Sequence, residues 1–396
     1  MTAGLRSALA ADQLYPPGSA FMARTNLHQT RMLGFTDLLL DTVTTLLAGA
    51  LNGRSSVRHE AGAGPEVFAV YRRAGMVVEE DTRIYRTAGE AEALADGLIR
   101  EGKRLFWSYP PPERRFPDQA HLVTPTLYRF LNSKANLERL VPSRHLPLRR
   151  ILSHEELAEF EPSGPVFLKS AGDAATGWGF AVRPCPGKPE FEDARCWFHE
   201  HREGVPAVIV EEAVDLAGCW CAGIAVNDTG AVCFGGAEQL FRAPARQCGS
   251  LIDPDASFPL EGKALAETVG MAAQALGFRG VAGLDIGLGR DGRLLVFDPN
   301  FRINASTHQL LLHDSAAARS GLRVSRSFQT SPGGPFKDLA ERLEAPIGDG
   351  WFVPTRLFNG EKHPLAEGRH IVTGFVLGNT RQDAEDAARR LEGRLN

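Results

Sequence analysis

Read for its alternation of apolar and polar positions, the chain gives its sharpest signal between Val281 and Thr307, VAGLDIGLGRDGRLLVFDPNFRINAST. Two apolar runs of strand length flank the turn residues Arg290-Asp291-Gly292, which predicts a β-hairpin. Each strand carries one acid: Asp285 lies among small and apolar residues, and Asp298 closes the second run, followed by Asn300 and Arg302. Two carboxylates and a carboxamide brought to one place make a set of hard oxygen donors of the kind that Mg²⁺ prefers. Arg302 lies two residues past Asn300, and on an extended backbone it therefore faces the same way.

The same reading orders the residues upstream. Ser133–Leu140 is helix-like and opens near Lys134, with Leu137 and Leu140 on one side. Val166–Lys169 is a buried strand that ends in a lysine, and a loop rich in small residues, 170–179, leads to a further strand at 180–182. Glu190–Arg202 is helical, and Val208–Glu212 is an apolar strand ending in two acids. Runs 219–226 and 231–234 form a hairpin around Asn227-Asp228-Thr229-Gly230, and a helix spans Gly262–Leu276. Residues 1–123 read as an α/β unit, with a long helix over Leu33–Leu51, strands at Val67–Tyr71 and Arg104–Trp107, and a helix over Glu90–Glu101 between them. Ser331-Pro-Gly-Gly-Pro335 reads as a linker. Beyond it, 332–396 is a small α/β region with a strand at Ile371–Leu377 and a helix at Arg381–Leu391.

Composition narrows the class. The chain has 396 residues, 43% of them hydrophobic and 23% charged, as in an ordinary globular protein with room for several domains. A net charge of −4 speaks against a nucleic-acid surface. The apolar segments are strand-sized and the N-terminus lacks an apolar leader, so no membrane association and a cytoplasmic location are expected. The six cysteines are too few and too irregular for a disulfide framework. Cys219 and Cys221 are expected on opposite faces of their strand, away from metal or redox work. His199 and His201, at i and i+2 of a helix end, do not share a face, which argues against zinc.

The loop 170–179 contains Gly172, Gly177 and Gly179, which let backbone amides approach an anion closely. It lacks the residue order of a P-loop. Lys169, its stem buried by Val-Phe-Leu, needs an anion for its ammonium, and phosphate fits. The strand end Glu211-Glu212-Ala-Val suits an extended linker whose backbone reads a purine edge.

Together these segments resemble the ATP-grasp superfamily over roughly residues 124–331. The resemblance implies two α+β subdomains, about 124–206 and 207–331, that grip ATP. It adds an α/β pre-ATP-grasp domain over 1–123 and a small C-terminal α/β appendage over 332–396. By the same resemblance Lys134 and Lys169 contact the phosphates, while Gly172, Thr176, Gly177 and Gly179 belong to a flap. Glu211, Glu212 and Val214 hold the adenine. Asp285, Asp298 and Asn300 ligate two Mg²⁺ ions. Arg302 binds the substrate carboxylate or the acyl phosphate made from it, and Arg242 and Arg246 reach the γ-phosphate or the second substrate.

The chain departs from the family at Asp298, where glutamate is common. It also lacks an acid in Gly218–Cys221 for the ribose, which leaves Asp215 as the nearest substitute. The three-part plan resembles the carboxylate–amine ligases of peptide natural-product biosynthesis, of the pheganomycin type. Amino acids or peptides are the partners implied, with room for a homodimer. A small-molecule kinase on the same scaffold and a non-catalytic ATP-binding subunit are the alternatives. The intact acidic set argues against the second of these.

Overall fold

The computed structural model describes residues 4–24, 36–109, 111, 113–172 and 181–396. The N-terminal strands β1 (Ser19–Met22), β2 (Ser55–His59), β3 (Asp81–Tyr85) and β4 (Arg104–Trp107) pair in parallel in the order β3-β2-β1-β4. Parallel strands need helical crossovers. One of these is Ala88–Arg100, started by Thr87, whose hydroxyl accepts the Glu90 N–H at 3.2 Å.

Two expectations for this region change. Val67–Tyr71 lies within the helix Pro65–Arg73, where Val67, Val70, Tyr71 and Ala74 recur at helical spacing behind Pro65 at the first turn. The long helix expected over Leu33–Leu51 is, in its described part, a short helix Asp37–Asp41, then a 3₁₀ turn at Thr42–Thr45, then turns. The run Thr-Val-Thr-Thr is wholly β-branched, which disfavours α-helix, and Leu47 and Gly49 adopt positive φ of 59° and 77°.

A second, antiparallel sheet contains β5 (Arg149–Leu152), β6 (Val166–Ser170), β7 (Val182–Cys185) and β8 (Val208–Glu212) in the order β5-β8-β6-β7. The helix Lys188–Glu200 covers it, and the two share a separate small core around Leu168, Phe191, Phe198 and Val208.

The third sheet is the largest: β9 (Leu216–Asn227), β10 (Gly230–Ala243), β11 (Arg246–Ile252), β12 (Gly280–Gly289), β13 (Leu294–Asn300), β14 (Val324–Thr330), β15 (Phe352–Phe358) and β16 (Ile371–Gly378). Its order is β13-β12-β9-β10-β11-β14-β16-β15, antiparallel throughout. The segment after Ser331 therefore extends this sheet with β15 and β16. Helices Phe336–Gly348 and Arg381–Leu395 pack into one core with Val67, Val70 and Tyr71 from the N-terminal unit. Helix Leu260–Ala275 buries Leu265, Ala266 and Val269 against Ile224, Leu284 and Ile286 on the other end of the sheet. A cleft results between the small sheet, with its own core, and the β9-β12-β13 end of the large one.

Arg58 on β2 ties the N-terminal unit together. Its guanidinium donates to Glu80 at 2.7 and 2.9 Å and to the Thr44 and Leu46 carbonyls, and both charged side chains are fully buried. Removing one member of a buried pair strands the other charge, at a cost of about 3–5 kcal/mol. Glu80→Ala is accordingly expected to lower the free energy of unfolding by roughly that amount in urea titration.

Candidate active site

The hairpin predicted over 281–307 forms as β12 and β13, with Asp285 directly opposite Asp298. Plain strand alternation would not put them there. Ile286 pairs with Val296, and both face the core under helix Leu260–Ala275, so Asp298, two residues on, would share that buried face. The register shift between Asp285 and Ile286 leaves Phe297 as an extra residue on β13. This β-bulge turns Asp298 and Asn300 to the opposite face, beside Asp285.

Glycine clears the space alongside. Gly283 pairs with Asn300, and a Cβ there would stand 1.8 Å from the Asn304 amide nitrogen and 3.1 Å from the Cys221 sulfur. Asn304 in turn holds the loop into helix Thr307–Ser320: its Oδ1 accepts from the Ser306 N–H at 3.1 Å and from the Thr307 hydroxyl at 2.9 Å.

Burial, and then the like charge of Asp298, raise the Asp285 carboxyl to about 6. Two cations answer this negative charge. Lys134, at the start of the 3₁₀ helix Lys134–Arg139, places Nζ 2.7 Å from Asp298 Oδ1. Lys169, next to last on β6, pairs with the buried Glu211 carboxylate, and reaches the Phe297 carbonyl at 3.5 Å and the Phe297 ring at 5.5 Å. Glu211 Oε2 is buried and unpartnered. Arg149 on β5, opposite Glu211, donates to the Lys134 carbonyl at 2.6 Å, and its Nη1 is likewise buried without a partner. Lysines from two elements and the paired acids thus meet where the two sheets face each other.

The donor set suits a hard dication: two carboxylates and one carboxamide, all offering oxygen, with more negative charge than Lys134 alone compensates. Asn300 Oδ1 accepts from Arg302 Nη2 at 2.8 Å, which ties that arginine to the same place.

The other expected residues are placed as follows. Glu212 points away from Glu211; it pairs with Arg293 at 2.6 Å and accepts the Leu148 N–H at 2.8 Å, clipping β8 to the hairpin turn. Val214 is half-buried next to Gly289, and Asp215 is exposed, 3.4 Å from Arg290. Gly172 donates its N–H to Ser170 Oγ at 3.2 Å, while Thr176, Gly177 and Gly179 lie outside the described residues. Arg242 and Arg246 sit at the paired ends of β10 and β11 rather than in a loop, and neither makes an ion pair among the described residues.

The expectation for Cys219 and Cys221 was wrong. Residues i and i+2 of a strand share a face, and both thiols lie on the Asp285 side, Cys221 paired with Asp285 and Cys219 bonded to Gln239 at 3.3 Å. Sequence reasoning also missed Arg149, Gln239 and Asn304. Only Asn304 carried a signal, as an Asx-turn residue just before a helix start.

Asp41, His59 and His363 form a second buried cluster of metal-type side chains, their nearest donor atoms within 4.8 Å of one another. Both rings accept a backbone N–H on Nδ1, from Ala61 at 3.0 Å and Leu365 at 3.2 Å, so the ring proton sits on Nε2. Asp41 already takes the Tyr85 hydroxyl at 2.8 Å and pairs with Arg24. A cation would displace both protons and face a guanidinium. The group fits a hydrogen-bond network instead.

Comparison with known proteins accords with this geometry. Residues 10–129 match the model of the L-aspartate–L-methionine ligase N-terminal domain, and 147–300 match that of the L-aspartate–L-methionine ligase ATP-grasp domain. Among solved structures, N5-carboxyaminoimidazole ribonucleotide synthetase in its ADP complex superposes with a TM-score of 0.60 at 13% identity, covering 98% of both chains. Biotin carboxylase from Campylobacter jejuni gives 0.57 at 13%, covering 96% of this chain and 91% of that one. L-amino acid ligase from Bacillus licheniformis gives 0.52 at 13%, covering 95% and 98%. Fold and site define an ATP-grasp enzyme of the ATP-dependent carboxylate–amine ligase class. Within that class the chain belongs to the L-aspartate–L-methionine ligase family, whose two domain models together cover more than two-thirds of it. No helix among the described residues is long and apolar enough to cross a membrane.

Two predictions follow from the paired acids. With its pKa raised, folded Asp285 binds a proton between about pH 4 and 6 that the unfolded chain releases, so its ionised form opposes folding above pH 6. In chelator at pH 8, Asp285→Asn should therefore raise thermal stability, by on the order of 2 kcal/mol, while a Mg²⁺ titration finds its affinity lost. Gly283→Ala should displace Asn304 and lower ligase turnover at least tenfold, with circular dichroism unchanged.

Proposed function

We propose that the enzyme activates the carboxylate of an acidic amino acid with ATP and joins it to the amine of a second amino acid, aspartate and methionine being the pair that the family name suggests. The observation that carries this reading is the meeting of Asp285, Asp298 and Asn300 with Lys134, Lys169 and Arg302 at one end of one cleft.

Asp285, Asp298 and Asn300 would hold Mg²⁺, which supplies neutralisation of charge on the β- and γ-phosphates. Lys169 and Lys134 hold the phosphates as compact positive charges, Lys134 moving from Asp298 to phosphate when that carboxylate gains a stronger cation. Glu211, with one oxygen unpartnered, accepts from the exocyclic amine of adenine. Arg302 grips the reacting carboxylate and aims one oxygen at the γ-phosphorus. That oxygen forms the new O–P bond as the bond to ADP breaks, which gives an acyl phosphate. The amine then attacks the acyl carbon and loses a proton. The tetrahedral intermediate, its oxyanion stabilised by Arg302, expels inorganic phosphate. Arg242 and Arg246, at the turn of the β10–β11 hairpin, stand as the candidates for the second substrate. A dipeptide-like product is the kind of building block that natural-product assembly consumes.

The test is ADP release with Mg²⁺ and ATP against amino acids offered singly and in pairs, with mass detection of the product. Amide and phosphate are expected from an acidic and a neutral amino acid together. A phosphorylated single acceptor would make the enzyme a kinase instead. Asp298→Ala and Asn300→Ala should each lower ADP release by a factor of about 10³ or more, since each removes stabilisation of the transferring phosphoryl group. Turnover like that of the wild type in either variant would remove that residue from the metal site.

A further inference from the structure

The metal ligands and lysines described above leave a set of buried polar groups unused. Arg356 on β15 donates from Nη2 to the Thr42 carbonyl at 3.1 Å and to the Thr42 hydroxyl at 3.4 Å, yet its Nε is buried and unpartnered. No carboxylate among the described residues pairs with Arg356 or with Arg302. His308, 3% exposed in the first turn of helix Thr307–Ser320, has its Nε2 unpartnered. The Tyr128 hydroxyl and Ser108 Oγ are also buried and unpartnered, on residues 5% and 2% exposed.

The segments that carry these groups share one core, in which Val43, Phe106, Ile303 and Leu311 pack together. Tyr128 and Arg302 line the same cavity with Tyr15, Trp107, Phe278 and Phe301. Ser108 follows Trp107 directly at the end of β4. Tyr109, next in the chain, lies in the field of both Arg302 and Arg356, and His308 lies in that of Arg356. Burial together with the Arg58 and Arg356 charges drives the His308 imidazole down to about 3, so it stays neutral and can donate a hydrogen bond. The carboxyl ends of the parallel strands, where the order reverses between β1 and β4, open toward the same region, the usual place for a ligand in such a sheet.

Two guanidiniums without carboxylates, beside three buried groups that lack partners, describe a receptor for negative charge. A buried cation is retained at considerable cost unless something pairs with it. We infer that Arg356, with His308, Tyr128 and Ser108 nearby, binds the non-reacting carboxylate of a dicarboxylic substrate whose other carboxylate lies on Arg302. The inference rests on the ligase reading above and deepens it: β15, outside both matched domain segments, selects the acid. A monocarboxylic acid would leave one guanidinium buried and unpaired after binding. That asymmetry gives discrimination far beyond what an apolar pocket achieves.

Calorimetry in the presence of Mg²⁺ and a non-hydrolysable ATP analogue tests this without turnover. L-aspartate is compared with L-asparagine and β-alanine, each of which lacks one carboxylate. Wild type should bind aspartate at least tenfold more tightly than either. Arg356→Gln should weaken aspartate by about ten- to a hundredfold, the effect of losing a charged hydrogen bond, and its preference over one of the two analogues should vanish. Its melting temperature without acid should match or exceed that of wild type. Unchanged aspartate affinity in folded Arg356→Gln, or equal binding of all three compounds by wild type, would overturn the inference. If Arg356→Gln does not fold, Tyr128→Phe decides: it loses a hydroxyl that has no partner, so stability should hold while aspartate binding weakens, and unchanged binding overturns the proposal. Intact discrimination without amide formation would count against the ligase reading alone. Amide formation without discrimination would count against the carboxylate site alone.

Discussion

The structure depends on holding two carboxylates against each other. Asp285 and Asp298 oppose one another across β12 and β13, and burial, followed by their repulsion, raises the Asp285 carboxyl. A folded chain tolerates such a pair only if cations stand close, and here they come from elements distant in sequence. Lys134 reaches Asp298 from a 3₁₀ helix packed on the same core as β12 and β13, and Lys169 crosses from the small sheet to the backbone beside it. The repulsion thus becomes a demand for positive charge, and Lys169 is the cation that comes from the other sheet. In the proposed function, a nucleotide and its metal would bring their own charges and free these lysines for the phosphates.

That arrangement explains why the site sits where two cores meet. The small sheet has its own core, and few apolar contacts join it to the large one. The pair Lys169–Glu211 belongs to the small sheet, whereas Phe297, which Lys169 also touches, belongs to the large one. Contacts across the cleft are polar and exchangeable, so the lobes can part and close around ATP without exposing a core. The clip between Glu212 and Arg293 holds one edge of the cleft and leaves the other to open.

Much of this could be read from the sequence, and the failures have identifiable causes. Hairpins and long helices, such as 281–300 and 260–275, were placed to within a few residues because their signals are local. The faces of strands were less secure. Alternation alone would send Asp298 into the core with Val296; the bulge at Phe297, which reverses this, leaves no mark in the residue types. Cys219 and Cys221 failed for the opposite reason, since simple alternation applies to them and was misapplied. Val67–Tyr71 was read in too short a window to separate a period of two from one of 3.6. Arg356 could not have been found at all. Its meaning lies in the lack of a carboxylate around it, and sequence does not record which charges remain unpaired once the chain has folded.

The C-terminal segment then acquires a role beyond packing. By pairing β16 with β14 it continues the sheet that carries the acids, and by adding β15 it sets Arg356 beside Thr42 in the N-terminal unit. Three parts of the chain therefore hold one region in common: β4 and its following residues, the entry to helix Thr307–Ser320, and β15. Arg58 braces the same place, fixing Thr44 and Leu46, while burial, helped by the Arg58 and Arg356 charges, keeps His308 neutral. In the proposed reading the paired acids serve the nucleotide's metal, and Arg302 and Arg356 serve the acid. A substrate that is anionic at both ends and reacts at only one would have its direction set by this division before any bond changes.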